Sequence, residues 1–132
     1  MKVLLVDDEP FILQGLSVLI DWAAEGCEIV KMASNGKEAL LYLEDHEADL
    51  IITDIKMPVM SGLELLEQIR GRQISDAFFI ILSGYNDFSY AQKAIRYACM
   101  DYLVKPVQKE ALLELIRKAK SSLAVTEQNA EN

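Results

Sequence analysis

Polar side chains that could do chemistry directly follow four short apolar runs of the sequence. They are two neighbouring acids, a third acid, a serine and a lysine: Asp7, Asp8, Asp54, Ser83 and Lys105. Parallel sheets bind their ligands outside the carboxyl ends of the strands. If the apolar runs are parallel strands, we expect these five side chains to share one site, although they are far apart in the sequence.

The residue types in this set indicate a hard cation and phosphate chemistry. Three carboxylates close together repel one another unless a cation lies between them. Oxygen ligands with open positions for water suit Mg²⁺ better than Ca²⁺. A metal ion, a lysine and a hydroxyl around one carboxylate are also the groups that phosphoryl transfer to that carboxylate requires.

Each of these residues also has a plainer interpretation. Asp7 and Asp8 could cap a helix that begins near Pro10, and Asp54 could be a solvated strand end. Ser83 before a glycine is typical of a turn, and Lys105 before a proline is typical of a surface strand end. The residue pattern alone therefore leaves three roles for Asp54: a metal ligand, a nucleophile or a strand end without a function. The joint placement of all five favours a site.

The elements that must position these residues alternate five times along the chain. Apolar runs at 1–6, 50–53, 77–82 and 102–104 predict strands, and a more alternating segment at 28–33 predicts another. Helical spacing predicts helices over 10–23, from 36, from 61, from Asp87 to Ile95, and over 112–119. Two of the helix starts carry capping signals, Asn35 with Glu38 and Ser61 with Glu64. We expect one α/β domain with a parallel sheet between two helical layers, and a frayed polar tail after about residue 125.

Composition narrows the class of protein. The chain has 132 residues, a 52% hydrophobic fraction and a net charge of −8, which fit a globular domain and count against nucleic-acid binding by this domain. No run suits a signal peptide or a membrane span, and two cysteines, Cys27 and Cys99, fit a reducing compartment. We therefore expect a cytoplasmic protein. The single histidine, His46, lies among acids and is predicted to be solvated rather than a metal ligand.

Four motifs in order resemble one family. They are Val6-Asp7-Asp8-Glu9-Pro10, Asp54-Ile55-Lys56-Met57-Pro58 with Ser61-Gly62, Ile81-Leu82-Ser83-Gly84, and Asp101-Tyr102-Leu103-Val104-Lys105-Pro106. Over residues 1 to about 123 the chain resembles the receiver domain of two-component response regulators. The resemblance implies a flavodoxin-like, doubly wound (βα)5 fold with five parallel strands in the order 2-1-3-4-5.

The resemblance also implies roles for the site residues. Asp54 would accept a phosphoryl group from a sensor histidine kinase with Mg²⁺ as cofactor. Asp8, Asp54 and the backbone carbonyl of Lys56 would bind the metal, and Asp7 would act mainly through water. Lys105 would pair with the phosphoryl group, Ser83 would donate a hydrogen bond to it, and the Lys105-Pro106 peptide would be cis.

A switch is implied as well. Tyr102 would turn inward when Ser83 moves, which would remodel the face formed by the fourth predicted helix, the fifth strand and the last helix. Ile95, Arg96, Met100 and Asp101 lie on that face, through which a homodimer is also expected. The plainer interpretation of Tyr102 is a half-buried strand aromatic.

Two segments resemble a subfamily whose regulators carry a C-terminal AraC-type helix-turn-helix output. They are Ile20-Asp21-Trp22 with Gly26, and Ser83 to Phe88. On this basis residues 1–123 are predicted to be the receiver domain, and 124–132 a polar tail or the start of a linker to a DNA-binding output that controls transcription. The alternative is a stand-alone receiver that binds a protein partner. A third hypothesis, a Mg²⁺-dependent aspartyl-phosphate phosphatase, generally requires an acid where Lys56 stands, and is disfavoured.

The sequence departs from the family pattern before the fifth strand. Ala98-Cys99 stands where Gly-Ala is usual, so this loop could be tighter or strained. Lys56 and Tyr85 occupy the two positions that tend to set the dephosphorylation rate in this family. Both are bulky, so we predict that they obstruct water and give a long-lived phosphoryl state.

Overall fold

Five parallel strands form the sheet of this protein. The computed structural model describes residues 1–57, 59–84 and 101–131, and of 124–131 the backbone alone. The strands are β1 (Lys2–Val6), β2 (Glu28–Ala33), β3 (Leu50–Asp54), β4 (Phe78–Ser83) and β5 (Asp101–Val104). Their order is β2-β1-β3-β4-β5, and every neighbouring pair is parallel. The predicted fold class and strand order are confirmed.

The three central strands consist of nearly continuous apolar residues because both of their faces are covered. Every residue of β3 and β4 is buried, and β1 is buried from Val3 onward. The edge strand β2 has half-buried and exposed positions up to Ala33, which agrees with its more mixed sequence.

Helices cover both faces of the sheet. They are α1 (Pro10–Leu19), α2 (Gly36–Asp45), α3 (Gly62–Gly71) and the C-terminal helix (Lys109–Glu131). Buried side chains of α2 and α3 pack with Leu4 and Ile51 on one face of the sheet. Buried side chains of α1 and the C-terminal helix pack with Leu5 and Ile52 on the other. The helix predicted from Asp87 lies outside the described residues.

Both predicted helix caps are present. The Asn35 side chain accepts a hydrogen bond from the backbone N–H of Glu38 at 2.8 Å, at the start of α2. The Ser61 hydroxyl accepts from the backbone N–H of Glu64 at 3.1 Å, at the start of α3. Each cap satisfies a backbone donor that the first helical turn leaves without a partner. The helix that leaves the Asp54 loop therefore begins at a defined residue.

Two helix ends differ from the prediction. The first helix ends at Leu19 rather than near Ala23, and Ile20 is extended. There the chain turns to bury Ile20 and Trp22, and the Trp22 indole donates to the carbonyl of Leu16 at 3.0 Å. The C-terminal helix extends to Glu131, beyond the predicted helix over 112–119, and it includes the segment after residue 125 for which a frayed tail is predicted.

The boundaries of two strands also differ slightly from the prediction. The structure starts β4 at Phe78 rather than Ala77 and includes Ser83 in it, and it starts β5 at Asp101 rather than Tyr102. Among the described residues, no helix is both long and apolar enough to span a membrane.

Candidate functional site

Strand β1 delivers the first two acids of the site. Asp7 is fully buried, and its backbone N–H donates to the carbonyl of Ala33 at 3.1 Å. One carboxylate oxygen of Asp7 accepts the backbone N–H of Glu9 at 2.9 Å, while Asp8 is exposed. The residue that precedes α1 is Glu9, and no side chain caps that helix. The structure therefore does not support the interpretation of Asp7 and Asp8 as helix caps.

The end of β3 places Asp54 in the same region. Asp54 is buried with 7% of its surface exposed, and the following residue, Ile55, donates its backbone N–H to Leu82 at 3.1 Å. The chain then returns so closely that a Cβ at Gly62 would overlap the carbonyl oxygen of Asp54 and lie 3.1 Å from its carbonyl carbon. Gly62 thus permits the tight loop between β3 and α3 because it has no side chain.

Lys105 connects two of the acids. Its Nζ lies 3.2 Å from Oδ2 of Asp7 and 3.2 Å from Oδ1 of Asp54. The backbone N–H of Lys105 donates to the carbonyl of Ser83 at 2.8 Å, so the ends of β4 and β5 are held together. Ser83 is buried, and the Lys105-Pro106 peptide is cis as predicted.

Burial and neighbouring charges shift the pKa values of these groups. Burial raises the pKa of Asp7 to about 6, and Asp54 adds to the rise, although the Glu9 amide and Lys105 oppose it. Burial also raises the pKa of Asp54 against the opposing effect of Lys105. For Lys105, burial alone would lower the pKa, but attraction to Asp54 and Asp7 outweighs it and the pKa is raised. The buried site therefore holds more negative charge than one lysine compensates.

The three carboxylates form a cluster that fits a cation. Asp7, Asp8 and Asp54 each offer an oxygen, and these oxygens lie within 4.8 Å of one another. Oxygen ligands from two buried acids and one exposed acid suit a hard divalent ion with access to water. Lys56 is exposed and lies two residues after Asp54, so its predicted part as a metal ligand remains a prediction.

The predicted switch residues are partly described. Tyr102 is half-buried in β5, beside Ile81 of β4, and packs against the core cluster on the α2–α3 face. Asp101 pairs with Lys118 of the C-terminal helix at 3.3 Å. Four positions with predicted parts in the switch or in the phosphoryl lifetime lie outside the described residues: Tyr85, Ile95, Arg96 and Met100. The departure from the family pattern at Ala98-Cys99 lies outside them as well.

One residue of the site has no predicted role. Thr53 is fully buried, and its hydroxyl donates to the carbonyl of Asp54 at 3.0 Å. The signal in the sequence is a polar residue at the end of an apolar run directly before the acid. Thr53 helps to fix the backbone of the strand end that carries Asp54.

The sequence that carries these acids, the lysine and the serine matches a known family. Residues 3–117 match the family model of the response regulator receiver domain. The chain belongs to this family. The acidic pocket formed by Asp7, Asp8 and Asp54 is accordingly the pocket of a receiver domain that could bind a metal ion.

Two curated relatives of this receiver domain are named as transcriptional regulatory proteins. It is 41% identical over 115 residues to the transcriptional regulatory protein HptR of Staphylococcus aureus, covering 87% of this chain and 44% of HptR. It is 38% identical over 112 residues to the uncharacterized transcriptional regulatory protein YesN of Bacillus subtilis, covering 85% of this chain and 30% of YesN. The receiver domain therefore spans less than half the length of these relatives.

Solved structures agree with the fold. The receiver domain of AraT, a response regulator from Geobacillus stearothermophilus, has a TM-score of 0.88 and 39% identity, with 96% of this chain and 97% of that chain covered. A two-component transcriptional regulator AraC from Clostridium phytofermentans has a TM-score of 0.86 and 28% identity, with 96% and 98% covered. The predicted resemblance to AraC-type regulators is thus supported by structural neighbours.

Proposed function

We propose that this receiver domain is a phosphorylation-activated signalling switch in which Asp54 accepts a phosphoryl group from a histidine kinase. The observation that carries the proposal is the position of the Lys105 ammonium, 3.2 Å from both Asp7 and Asp54. A carboxylate that belongs to a cation-binding cluster and also contacts a lysine ammonium is suited to attack phosphorus, because a bound cation and the ammonium would both offset the negative charge of the phosphoryl oxygens.

The roles of the site residues follow from their positions. An oxygen of Asp54 would form the bond to phosphorus as the bond from phosphorus to the donor's imidazole nitrogen breaks. Asp8, Asp54 and the Lys56 carbonyl would hold Mg²⁺, with Asp7 acting through water. The metal, when bound, supplies positive charge to the transferring phosphoryl group. Lys105 would keep its contact with the product, and the Ser83 hydroxyl would donate to a phosphoryl oxygen.

Because Asp54 is buried, the neighbouring side chains would respond to the charge that a phosphoryl group adds to it. Phosphorylation adds negative charge and acceptor oxygens at Asp54, which Ser83 and Lys105 can pair. Movement of Ser83 toward the phosphoryl group would vacate space into which Tyr102 can turn. Tyr102 lies one strand away, beside β4, and its change of position would alter the surface around β5 and the C-terminal helix.

A histidine kinase that donates the phosphoryl group would contact a protein surface beside Asp54. Helix α1 starts three residues after Asp7 and exposes two apolar side chains on one face, Phe11 at 84% and Val18 at 76%. Exposed apolar residues of this kind are suited to a protein phosphodonor. The direct test of this partner is transfer of phosphate from a phosphorylated histidine kinase to Asp54.

The output would be control of transcription through a DNA-binding domain outside this chain. The names of the curated relatives and their greater length support this part of the proposal. Residues 1–123 would be the receiver domain and 124–132 the beginning of a linker, within a cytoplasmic protein that can dimerise through the face around β5. The alternative is a stand-alone receiver that binds its target protein. The gene beyond residue 132 separates them, since a helix-turn-helix domain there supports the first.

The proposal is tested by incubation with Mg²⁺ and a small phosphodonor, followed by intact mass measurement. A gain of one phosphoryl group that Asp54→Asn abolishes supports it. A phosphatase would instead turn over a generic phosphate ester. The exposed Lys56, which stands where that class generally requires an acid, opposes that reading.

A further inference from the structure

A groove opens at the edge of the sheet opposite to the carboxylate cluster. It encloses about 770 Å³ at the amino ends of β3 and β4, between the ends of α2 and α3 and the C-terminal helix. Strand β3 begins at Leu50, directly after Asp49 of the groove wall, and ends at Asp54 of the site, so the length of the strand separates the two by ~13 Å. The groove is therefore separate from the phosphorylation site.

The lining of the groove is apolar at its centre. Buried side chains from three elements and from the loop after α2 form this floor: Leu43, Ala48, Phe78 and Ala119. The half-buried side chains of Ile74 and Leu123 continue the apolar surface on either side. The centre of the groove therefore offers apolar contacts to whatever occupies it.

The rim of the groove is acidic. Five carboxylates surround the floor: Glu44, Asp45, Glu47, Asp49 and Asp76. Glu44 pairs with Arg72 at 3.3 Å, and Asp49 accepts the backbone N–H of Lys2 at 2.8 Å. In the part of the chain that the structure describes, no cation pairs with the other three. Arg70, also in the wall, donates to the carbonyls of Ser75 and Ala77 at 2.8 and 2.7 Å.

The backbone adds to this negative charge. Helix α2 ends at Asp45, and this end borders the groove. The end of α3 adds little negative charge, because its last turn carries Arg70 and its carbonyls of Gln68, Ile69 and Arg70 accept backbone N–H groups of the residues that follow. The carboxyl end of a helix carries partial negative charge from carbonyls that have no partner inside the helix. The end of α2 and three carboxylates that pair with no cation among the described residues therefore border the same opening.

We propose that this groove is a docking site for a basic amphipathic helix of a protein partner. An apolar floor would receive the apolar face of such a helix, and lysines or arginines at its borders would reach the acidic rim. An apolar centre with a charged rim is the usual arrangement of a protein interface. A small cation would use the rim and leave the floor uncovered. The proposal is independent of phosphorylation at Asp54.

The test uses the 132-residue protein and a synthetic peptide of roughly 18 residues, with leucine at helical spacing on one face and lysine on the other. Binding is measured by calorimetry, and the contact surface by changes in backbone amide NMR signals. We expect changes at 43–49, 70–78 and 119–123. A peptide with serine in place of leucine separates charge attraction from docking, and it should bind at least about tenfold more weakly.

Two charge-reversal variants with the same net charge provide the matched comparison. Glu47→Lys with Asp76→Lys should weaken binding by about tenfold or more, whereas Glu110→Lys with Glu114→Lys, on an exposed face of the C-terminal helix, should change it by less than about twofold. Glu47→Gln with Asp76→Asn replaces the first pair if it does not fold, and should also weaken binding. The proposal would be overturned if both double variants lost the same peptide affinity, or if the amide signals changed outside the groove. It would also be overturned if the serine peptide bound as well as the leucine peptide, or if neither peptide bound.

Discussion

The ammonium of Lys105 lies 3.2 Å from a carboxylate oxygen of Asp54, although Asp54 ends β3 and Lys105 follows β5, two strands that are not neighbours in the sheet. Strand β4, which ends in Ser83, lies between them. The lysine therefore spans the end of β4 and extends as far as Asp7 on β1. One side chain joins three strand ends, and a change at any of them alters the electrostatic balance of the others.

Removal of this ammonium should destabilise the protein. Lys105→Gln leaves two buried carboxylates without their cation, and we expect a loss of about 1–3 kcal/mol in the free energy of unfolding at pH 7. The matched variant is Lys118→Gln, which removes an exposed pair with Asp101 and should cost less than about 0.5 kcal/mol. Urea denaturation of both variants measures the difference. Equal losses would show that the buried ammonium has no special role.

Neutralising Asp7 should stabilise the protein in a pH-dependent manner. Below the ordinary value of 3.8 the side chain is protonated in the folded and unfolded states, so Asp7→Asn has little effect. Between 3.8 and about 6 the unfolded chain loses this proton while the folded protein keeps it, so the wild type becomes less stable as pH rises. Above about 6 the variant should be more stable by roughly 1–3 kcal/mol.

The measurement is the unfolding free energy of Asp7→Asn and wild type at several pH values between 4 and 8. Asp45→Asn makes the same chemical change at an exposed position and is the matched control. Added Mg²⁺ should stabilise the wild type more than Asp7→Asn, because the ion offsets the same repulsion. An Asp7→Asn variant less stable than wild type at pH 7 would contradict the electrostatic account.

Gly62 should tolerate no side chain, in contrast to another glycine of the same helix. A Cβ at Gly62 would overlap the Asp54 backbone, whereas a Cβ at Gly71 has no atom within 4 Å. We expect Gly62→Ala to destabilise by about 2–4 kcal/mol through displacement of the loop. Gly71→Ala should be neutral or stabilising by up to about 1 kcal/mol. Thermal unfolding compares them, and a similar melting temperature for both would contradict the close packing at Asp54.

The phosphoryl group should persist for minutes or longer. Lys56 is exposed and lies two residues after Asp54. Lys56 and Tyr85 are the two residues that are predicted to obstruct the approach of water to the phosphoryl group. Lys56→Ala should shorten the half-life several-fold by opening the approach of water, whereas Lys2→Ala, at the opposite end of β1, should leave it unchanged. The decay of phosphorylated protein is followed by intact mass after the phosphodonor is removed. A wild-type half-life of seconds or less would count against obstruction.

Much of the fold was predictable because strand and helix patterns alternate along the chain without exception. Continuous apolar runs indicated covered strands, and Asn35 and Ser61 indicated helix starts that the structure confirms. The end of α1 was predicted wrongly because the burial of Ile20 and Trp22 depends on contacts with distant elements. A local periodicity contains no information on such contacts.

The candidate site was predictable as a set of residues but not as an electrostatic arrangement. Strand ends in a parallel sheet meet at one edge, so the proximity of Asp7, Asp54 and Lys105 followed from topology. The raised pKa of Asp7 depends on its complete burial, which the sequence does not state. The groove at the opposite edge was not predicted, because its lining comes from helix ends and strand starts that share no motif.

Phosphorylation of Asp54 is the central claim, and intact mass spectrometry tests it most directly. Wild type, Asp54→Asn and Asp49→Asn are each incubated with acetyl phosphate, with Mg²⁺ or with a chelator, after amide spectra have shown that all three are folded. We predict that wild type and Asp49→Asn gain one phosphoryl group when Mg²⁺ is present and that Asp54→Asn gains none. No gain in the wild type, or an undiminished gain in Asp54→Asn, would contradict the account.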